Sequence, residues 1–376
     1  MLTLTAIKAD VGSDGGHTKP SEEMILACLR SLEIAKKKGI LLDYRVPFIG
    51  DDIQLLMVHR KGVVSPDIHN LAWNTFLAAT DIAREEGLYG AGQDLLVDAP
   101  SGNVRGAGPG VAEIEFDENA SERPVETFIV FAGDKCGPGA FNFPLWAGFT
   151  SPYFNSGLLL PTMKKGFVFT IIDMDNTDGD RVIELKVAER HLDVASLLRD
   201  ENRYGVLSVR SCAYPDQIIV SVSAHRLHTI LEKHTGKKTY SGKDDPVMIW
   251  RTQRIFPAPE EILMPFTTAH FVAGGARGSH HMPLMPVPIN TPVTGPYCLP
   301  IVSAVGYSVT KKGILSAGID FFDNPAWDYV RTEAQKKALM MRAQGFVGSA
   351  MVPTPELEYG SMRDALETLD KEFVVR

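Results

Sequence analysis

Cysteine is scarce and scattered. Four residues, Cys28, Cys136, Cys212 and Cys298, occur among 376, and no two form a Cys-x-x-Cys pair. A zinc ribbon or dithiol redox motif is therefore unsupported, and a disulfide framework does not suit a chain of this size. The four read as small buried hydrophobes in a reducing compartment. Long apolar runs are also missing. None approaches the roughly 20 residues of a membrane-spanning helix. Met1-Leu2-Thr3-Leu4-Thr5 has neither the basic nor the apolar region of a secretory signal. The expected location is the cytoplasm, with no membrane partner. Positive charge is in deficit, with 38 Lys+Arg against 46 Asp+Glu and a net charge of −8, which argues against a nucleic-acid partner. There is no internal repeat, low-complexity linker or break in composition, so residues 1–376 read as a single domain. What is present is an ordinary globular mixture, 44% hydrophobic and 22% charged, enough for a real core.

Leu2 to Ala9 alternates as a half-buried strand does and runs into Asp10-Val11-Gly12-Ser13-Asp14-Gly15-Gly16-His17, a glycine-rich turn. A helix capped by Ser21 and ended by Gly39 follows, then strands over 40–49 and 53–59 separated by Gly50-Asp51-Asp52, then a helix from Ser65-Pro66 to Glu86. These are two βαβ-like passes, each with aspartates at a strand end, where α/β architectures place sites. Residues 87–110 are rich in glycine. They lack the strand-then-helix context of a dinucleotide fingerprint, and they remain open between a plain loop and a backbone phosphate cradle. Strands are expected over 111–116, 125–131, 167–172, 181–187, 218–222, 267–273 and 301–310. Asp173 to Asp180 reads as an Asp-Gly hairpin turn rather than a calcium loop. Helices are expected over 224–234, 325–344 and 355–371.

The densest chemistry lies in Tyr240-Ser241-Gly242-Lys243-Asp244-Asp245-Pro246, which places a phenol, an amine and two carboxylates within six residues. Further carboxylates end predicted strands at Asp10, Asp51, Asp52 and Asp134. One such aspartate is an ordinary turn former. Two Asp-Asp pairs are different, because adjacent carboxylates repel unless a cation or solvent intervenes. Hard oxygen ligands select Mg²⁺ or Mn²⁺, and His17 and Gln93 could complete the shell. Such a cluster suits phosphoryl chemistry, with Lys135 and Arg277 holding a second phosphate. His280 and His281 read as structural hydrogen-bonding residues rather than ligands. Lys243 is either a surface lysine or a nucleophile. Nearby cations would push its ammonium to lose its proton, so that the amine could attack a ketone, with Tyr240 as acid/base.

Taken together, Lys8-Ala9-Asp10 through Gly16-His17, Gly50-Asp51-Asp52, Tyr89-Gly90-Ala91-Gly92-Gln93, Asp134-Lys135 with Pro138-Gly139-Ala140, Tyr240 through Pro246, and Arg277-Gly278-Ser279-His280-His281-Met282-Pro283 resemble the bifunctional fructose-1,6-bisphosphate aldolase/phosphatases of archaea and deeply branching bacteria. The resemblance spans essentially the whole chain. It implies a four-layer α-β-β-α sandwich assembled as a homo-octamer. One site would condense dihydroxyacetone phosphate with glyceraldehyde 3-phosphate, then hydrolyse the 1-phosphate to give fructose 6-phosphate. It makes Lys243 the Schiff-base lysine, Tyr240 the aldol acid/base, and Asp10 the phosphatase base and a metal ligand. His17, Asp51, Asp52, Gln93, Asp134, Asp244 and Asp245 become further Mg²⁺ ligands. His17, Tyr89, Gly102, Asn103, Lys135, Gln253, Arg277 and Tyr359 become substrate contacts.

One departure stands out. Before Pro300 the family pattern has an Asp-Gly-Pro-Pro run whose aspartate contacts the triose. Here the segment reads Gly295-Pro296-Tyr297-Cys298-Leu299-Pro300, with no acidic side chain. Two alternatives therefore stay open, a Mg²⁺-dependent sugar phosphatase with weak or lost aldolase activity and a non-catalytic, cation-dependent sugar-phosphate sensor.

Overall fold

The first strand carries the plan of the molecule. β1 (Leu2–Asp10) turns Leu2, Leu4 and Ala6 to one side and Ile7 and Ala9 to the other, and both sides are buried. The half-buried strand expected from the alternation is thus corrected. Thr3, Thr5 and Lys8 are buried as well, because helices cover one face of the sheet and a second sheet covers the other. The structure, a computed structural model, describes residues 1–95, 108–117, 125–176, 179–215, 217–224, 243–252, 257–274, 281–295, 299–343 and 360–375.

Next come α1 (Glu22–Lys37), β2 (Asp43–Arg45), β3 (Phe48–Ile49), β4 (Asp52–His59), α2 (Pro66–Glu85) and β5 (Gly110–Phe116). Ser21 caps α1 by accepting the Met24 amide at 3.3 Å, with Glu22 and Glu23 in the first turn and Lys36 and Lys37 in the last, as the helix dipole favours. The strands form one sheet in the order β2-β4-β1-β5, with β3 beside β4. β1 is antiparallel to both its neighbours, and β2 is antiparallel to β4. Each helical crossover is therefore split, with β4 lying between β1 and β2, and β1 between β4 and β5. The two βαβ-like passes exist, but their parallel strands are not adjacent. The strand expected over 40–49 is two short ones, since Pro47 has no amide to give a ladder.

The second sheet contains β6 (Val125–Asp134), β7 (Phe167–Asp173), β8 (Arg181–Lys186), β9 (Tyr204–Ser211), β10 (Ile218–Val222) and β11 (Val247–Arg251). Between these strands lie α3 (Asn142–Thr150) and α4 (Val187–Leu198), and α5 (Pro259–Leu263) follows β11. β12 (Phe271–Ala273) and β13 (His281–Pro283) form a separate small ribbon. β14 (Met285–Pro286), β15 (Ile301–Thr310), β16 (Ile319–Asp320), α6 (Asp328–Ala343), α7 (Gly360–Asp370) and β17 (Val374–Val375) close the chain. The order is β14-β15-β6-β11-β10-β9-β7-β8-β17, with β16 beside β15. The sequence reading missed α3, whose Pro144 and Gly148 hide its helical pattern, and also α4, β9 and β11. The strand expected over 267–273 is only β12, because a 3₁₀ turn over Met264–Thr268 precedes it and Ala269 takes φ +42°. The helix expected over 224–234 and the start of that expected at 355 lie outside the described residues.

Three cores define four layers. α1 and α2 bury Met24, Cys28, Leu32, Trp73 and Phe76 against Ile7, Ile53, Leu55 and Met57. Leu4, Leu56 and Ile114 of the first sheet meet Phe128, Val130 and Ile249 of the second. On the outer face of the second sheet, Phe131, Phe169, Val209 and Trp250 pack under α3, α4, α5 and α7. This is an α-β-β-α sandwich. Phe131 stacks on Phe266 with centroids 5.0 Å apart, and Trp250 stacks on Phe149 at 4.9 Å. Truncating Phe131 to Ala should destabilise the protein by about 3–5 kcal/mol in urea unfolding, and a loss under about 1 kcal/mol would contradict this packing.

Candidate active site

The inward positions of four strands lead to one place. Lys8 and Asp10 continue the register of Leu2, Leu4 and Ala6 on β1, and Asp52 and Gln54 precede Leu56 and Val58 on β4. Antiparallel pairing sets Asp10 directly opposite Asp52. On the second sheet, β6 ends in Asp134. The chain entering β11 brings Asp245 close by, because Gly133 donates to the Pro246 carbonyl at 2.9 Å. The site is therefore the open end of the seam between the sheets, where strand ends from both sheets converge.

Carboxylates crowd this mouth. One ligand atom each from Asp10, His17 and Asp51 lie within 4.8 Å of one another, as do single oxygens of Asp51, Asp52 and Asp134. The Asp10 carboxyl is pushed well above its usual range, first by burial and then by Asp51, Asp52 and Asp94. Burial likewise drives Asp134 up to about 8 and Asp245 well up, with neighbouring carboxylates adding to both. Asp51 is the exception. Burial would raise it, but the Lys135 ammonium, 2.5 Å away, and His17, at 3.1 Å, hold it well below the usual carboxylate range.

Three buried lysines sit among these acids. Lys8 pairs with Asp52, Lys135 bridges Asp51 and Asp134, and Lys243 reaches Asp244 Oδ1 at 3.0 Å and Asp94 Oδ2 at 3.2 Å. Lys243 is 2% exposed, so the surface-lysine reading falls. The expected drift toward a neutral amine is not what the protein alone produces. Burial lowers the Lys243 pKa, but Asp244, Asp94, Asp52 and Asp245 raise it further, well above an ordinary lysine. Positive charge placed beside those carboxylates would favour release of the proton.

The backbone is bent to build this cluster. Lys135 and Asp245 adopt φ of +60° and +48°, an uncommon region for side-chain-bearing residues and one that concentrates at functional sites. They are tied together through the Cys136 amide to Asp245 Oδ1 at 2.9 Å and the Asp245 amide to the Cys136 carbonyl at 2.8 Å. Gly50, at φ +54°, has no alternative, since a Cβ there would lie 1.5 Å from Asp134 Oδ2. The glycine loop from Asp10 to His17 is strapped by the Ser13–Tyr89 backbone pair, and the His17 ring meets Tyr89 edge-on at 4.6 Å. His281 Nε2 faces Glu201 Oε1 at 3.1 Å.

The residues fit a divalent cation. Asp134 Oδ2 is buried without a hydrogen-bond partner among the described residues. Among the described residues, seven aspartates (10, 51, 52, 94, 134, 244 and 245) face three lysines, an excess of four negative charges when all are ionised. Of the ligands expected from sequence, Asp10, His17, Asp51, Asp52, Asp134 and Asp245 converge here, and Asp244 adjoins Lys243. Gln93 is half-buried on the 3₁₀ turn Gln93–Leu95 that carries Asp94. Lys135 sits inside the cluster and Tyr89 at its rim. Tyr240, Gly102, Asn103, Gln253, Arg277 and Tyr359 lie outside the described residues.

Sequence reasoning assigned no role to two members. Lys8 had a signal, a lysine in the inward register of an otherwise apolar strand. Asp94 had only its place after a glycine-rich turn. Replacing Lys8 with Met strands the buried Asp52 carboxylate and should lower stability by about 3 kcal/mol in urea with chelator present. The loss should shrink when a divalent cation is added. A chelator-independent loss would show that Lys8 acts through packing instead.

The chain's likeness to known proteins follows the same lines. The sequence profile described as fructose-1,6-bisphosphatase matches residues 1–374. A protein of Thermus thermophilus called fructose-1,6-bisphosphate aldolase/phosphatase is 48% identical over 373 residues, covering 99% of each chain. Proteins of the same name from Cenarchaeum symbiosum and Moorella thermoacetica are 43% and 42% identical, over 99% of this chain and 95% and 94% of their own. The chain belongs to the fructose-1,6-bisphosphatase family.

Proposed function

We propose that this protein condenses dihydroxyacetone phosphate with glyceraldehyde 3-phosphate through an imine on Lys243, then hydrolyses the 1-phosphate of the product to leave fructose 6-phosphate. The observation that carries the proposal is the placement of Lys243. A fully buried amine shares its carboxylate partners with a cluster suited to cations, so one cavity holds the means for both reactions.

In the first reaction the Lys243 nitrogen adds to the ketone carbon, and the carbonyl oxygen departs as water. Removal of a proton from the adjacent carbon gives the enamine, and this carbon attacks the aldehyde of the second triose. Tyr240 is assigned the proton transfers, and hydrolysis of the imine restores the lysine. In the second reaction Asp10 orients a water for in-line attack on the 1-phosphate and accepts its proton. Lys135, paired with Asp51 and Asp134, would offer its ammonium to phosphate oxygens.

Asp10, His17, Asp51, Asp52, Gln93, Asp134, Asp244 and Asp245 would hold Mg²⁺, the cation that oxygen-rich sets favour. Bound Mg²⁺ would supply Lewis-acid polarisation of phosphate oxygens and a more acidic water. Two divalent ions would neutralise the excess of four charges, and bound phosphate would bring room for more. A single domain, a homo-octamer and a cytoplasmic location complete the proposal. Among the described residues, no helix is long and apolar enough to cross a membrane.

A sugar phosphatase with weak aldolase activity is the second reading, favoured by the absence of a carboxylate from Gly295 to Pro300. Borohydride reduction with dihydroxyacetone phosphate decides between them. The first reading expects a covalent adduct on Lys243, lost in Lys243→Ala, and no adduct would leave the phosphatase alone. Asp10→Asn should slow Mg²⁺-dependent phosphate release on the order of 10²-fold or more. Undiminished release would remove Asp10 from its role, and the absence of any release by the unaltered protein would favour a sensor.

A further inference from the structure

We infer that Asp94 is the positioning residue of Lys243, fixing the amine for attack on the ketone and tying it to the backbone of Asp10. The inference rests on the aldol reading of Lys243 above.

Asp94 sits on a rigid support. Leu95, next to it, is fully buried in the core beneath α1 and α2. The Gly92 amide donates to the Val11 carbonyl at 3.0 Å, and the Leu95 amide to the Gly92 carbonyl at 3.0 Å. The turn is thus fastened to the chain just beyond β1. From it the Asp94 carboxylate reaches into the seam, where Oδ2 accepts the Asp10 amide at 2.9 Å and faces Lys243 Nζ at 3.2 Å, with Oδ1 3.5 Å from the same nitrogen.

Lys243 has a second carboxylate partner, Asp244, at 3.0 Å. The two differ in what else they can do. The Asp244 side chain keeps 21% of its surface exposed and Asp94 only 5%. Asp244 adjoins Asp245 and is among the residues assigned to cations, and a carboxylate that turns to a cation loosens its hold on an ammonium. One oxygen of Asp94 is already committed to the Asp10 amide, within the protein. Among the described carboxylates, Asp94 is therefore the anchor that keeps Lys243 when cations are bound.

Such an anchor has a chemical use. A lysine side chain ends a flexible four-carbon stem, and attack on a carbonyl needs the nitrogen at a defined distance and direction. One N–H held by Asp94 restricts the amine and sets where its lone pair points. The new N–C bond then forms at a fixed place, and the neutral amine's two protons leave with the carbonyl oxygen as water. The same oxygen locates this event relative to Asp10, so the amine and the proposed phosphatase base keep a constant spacing.

The test uses the full chain with Mg²⁺, dihydroxyacetone phosphate and borohydride, with mass mapping of the Lys243 peptide. Trapping rate is followed against triose concentration for the unaltered protein, Asp94→Asn and Asp94→Ala. Phosphate release from fructose 1,6-bisphosphate is measured on the same preparations. Asparagine keeps an oxygen for the Asp10 amide but loses the charge facing Lys243. The saturating trapping rate should fall by about 10- to 10²-fold in Asp94→Asn with little change in the half-saturating triose concentration. Phosphate release should fall much less, and Asp94→Ala should lose more of both. Trapping by Asp94→Asn as fast as by the unaltered protein would overturn the inference, and so would a parallel loss of trapping and phosphate release. An unaltered protein that yields no adduct would overturn the aldol reading, and this inference with it.

Discussion

Among the described residues, seven carboxylates share the mouth of one seam, largely withdrawn from water, and three lysines answer them. Much of the local structure is arranged around that imbalance. Like charges in a poorly solvated space raise one another's pKa, as Asp134 and Asp10 show. The protein tolerates them by interleaving ammonium groups. Lys8 holds Asp52, Lys135 spans Asp51 and Asp134, and Lys243 lies between Asp94 and Asp244. The remaining negative charge, with an oxygen of Asp134 that lacks a hydrogen-bond partner among the described residues, suits the site to cations.

Keeping the charges together requires an unusually constrained backbone. The register of β1 on β4 puts Asp10 against Asp52. Gly50 has to be a glycine because Asp134 occupies the space of its missing side chain. Lys135 and Asp245 sit in left-handed conformations held by two hydrogen bonds through Cys136. The aromatic core under α3 and α5, with Phe131, Phe149, Trp250 and Phe266 in contact, stiffens the β6–β11 pair that carries these bends. At the far edge of the same sheet, Arg181 and Arg203 grip Asp173 and Asp370 while Arg190 grips Glu372. These pairs fasten the end of α7 to β7 and α4.

The charge arrangement also bears on how two reactions could share one cavity. With bare carboxylates, Lys243 holds its proton firmly and is a poor nucleophile. On the proposed assignment, cations held by Asp244 and Asp245 would weaken that hold and at the same time prepare the site for phosphate. Both activities of the proposal thus depend on the same occupancy. In that proposal the lysine does not act on its own, and its reactivity is a property of the whole cluster.

The sequence alone was enough to single out most of the acids. Their positions at predicted strand ends, in Asp-Asp pairs beside glycines, carry information at short range, and so do helix caps such as Ser21. Periodicity found the long strands and the helices with clear caps. It failed for α3, where Pro144 and Gly148 interrupt the pattern, and for the two-sided burial of β1, which depends on a sheet more than a hundred residues away. Lys8 and Asp94 were passed over for the same reason. A lysine in a strand and an aspartate after a turn are unremarkable until long-range pairing sets one against Asp52 and the other against Lys243. Which groups are neighbours, and therefore which protons are held and which charges remain unanswered, was decided only by the tertiary structure, because Coulomb interactions depend on distance in space rather than along the chain.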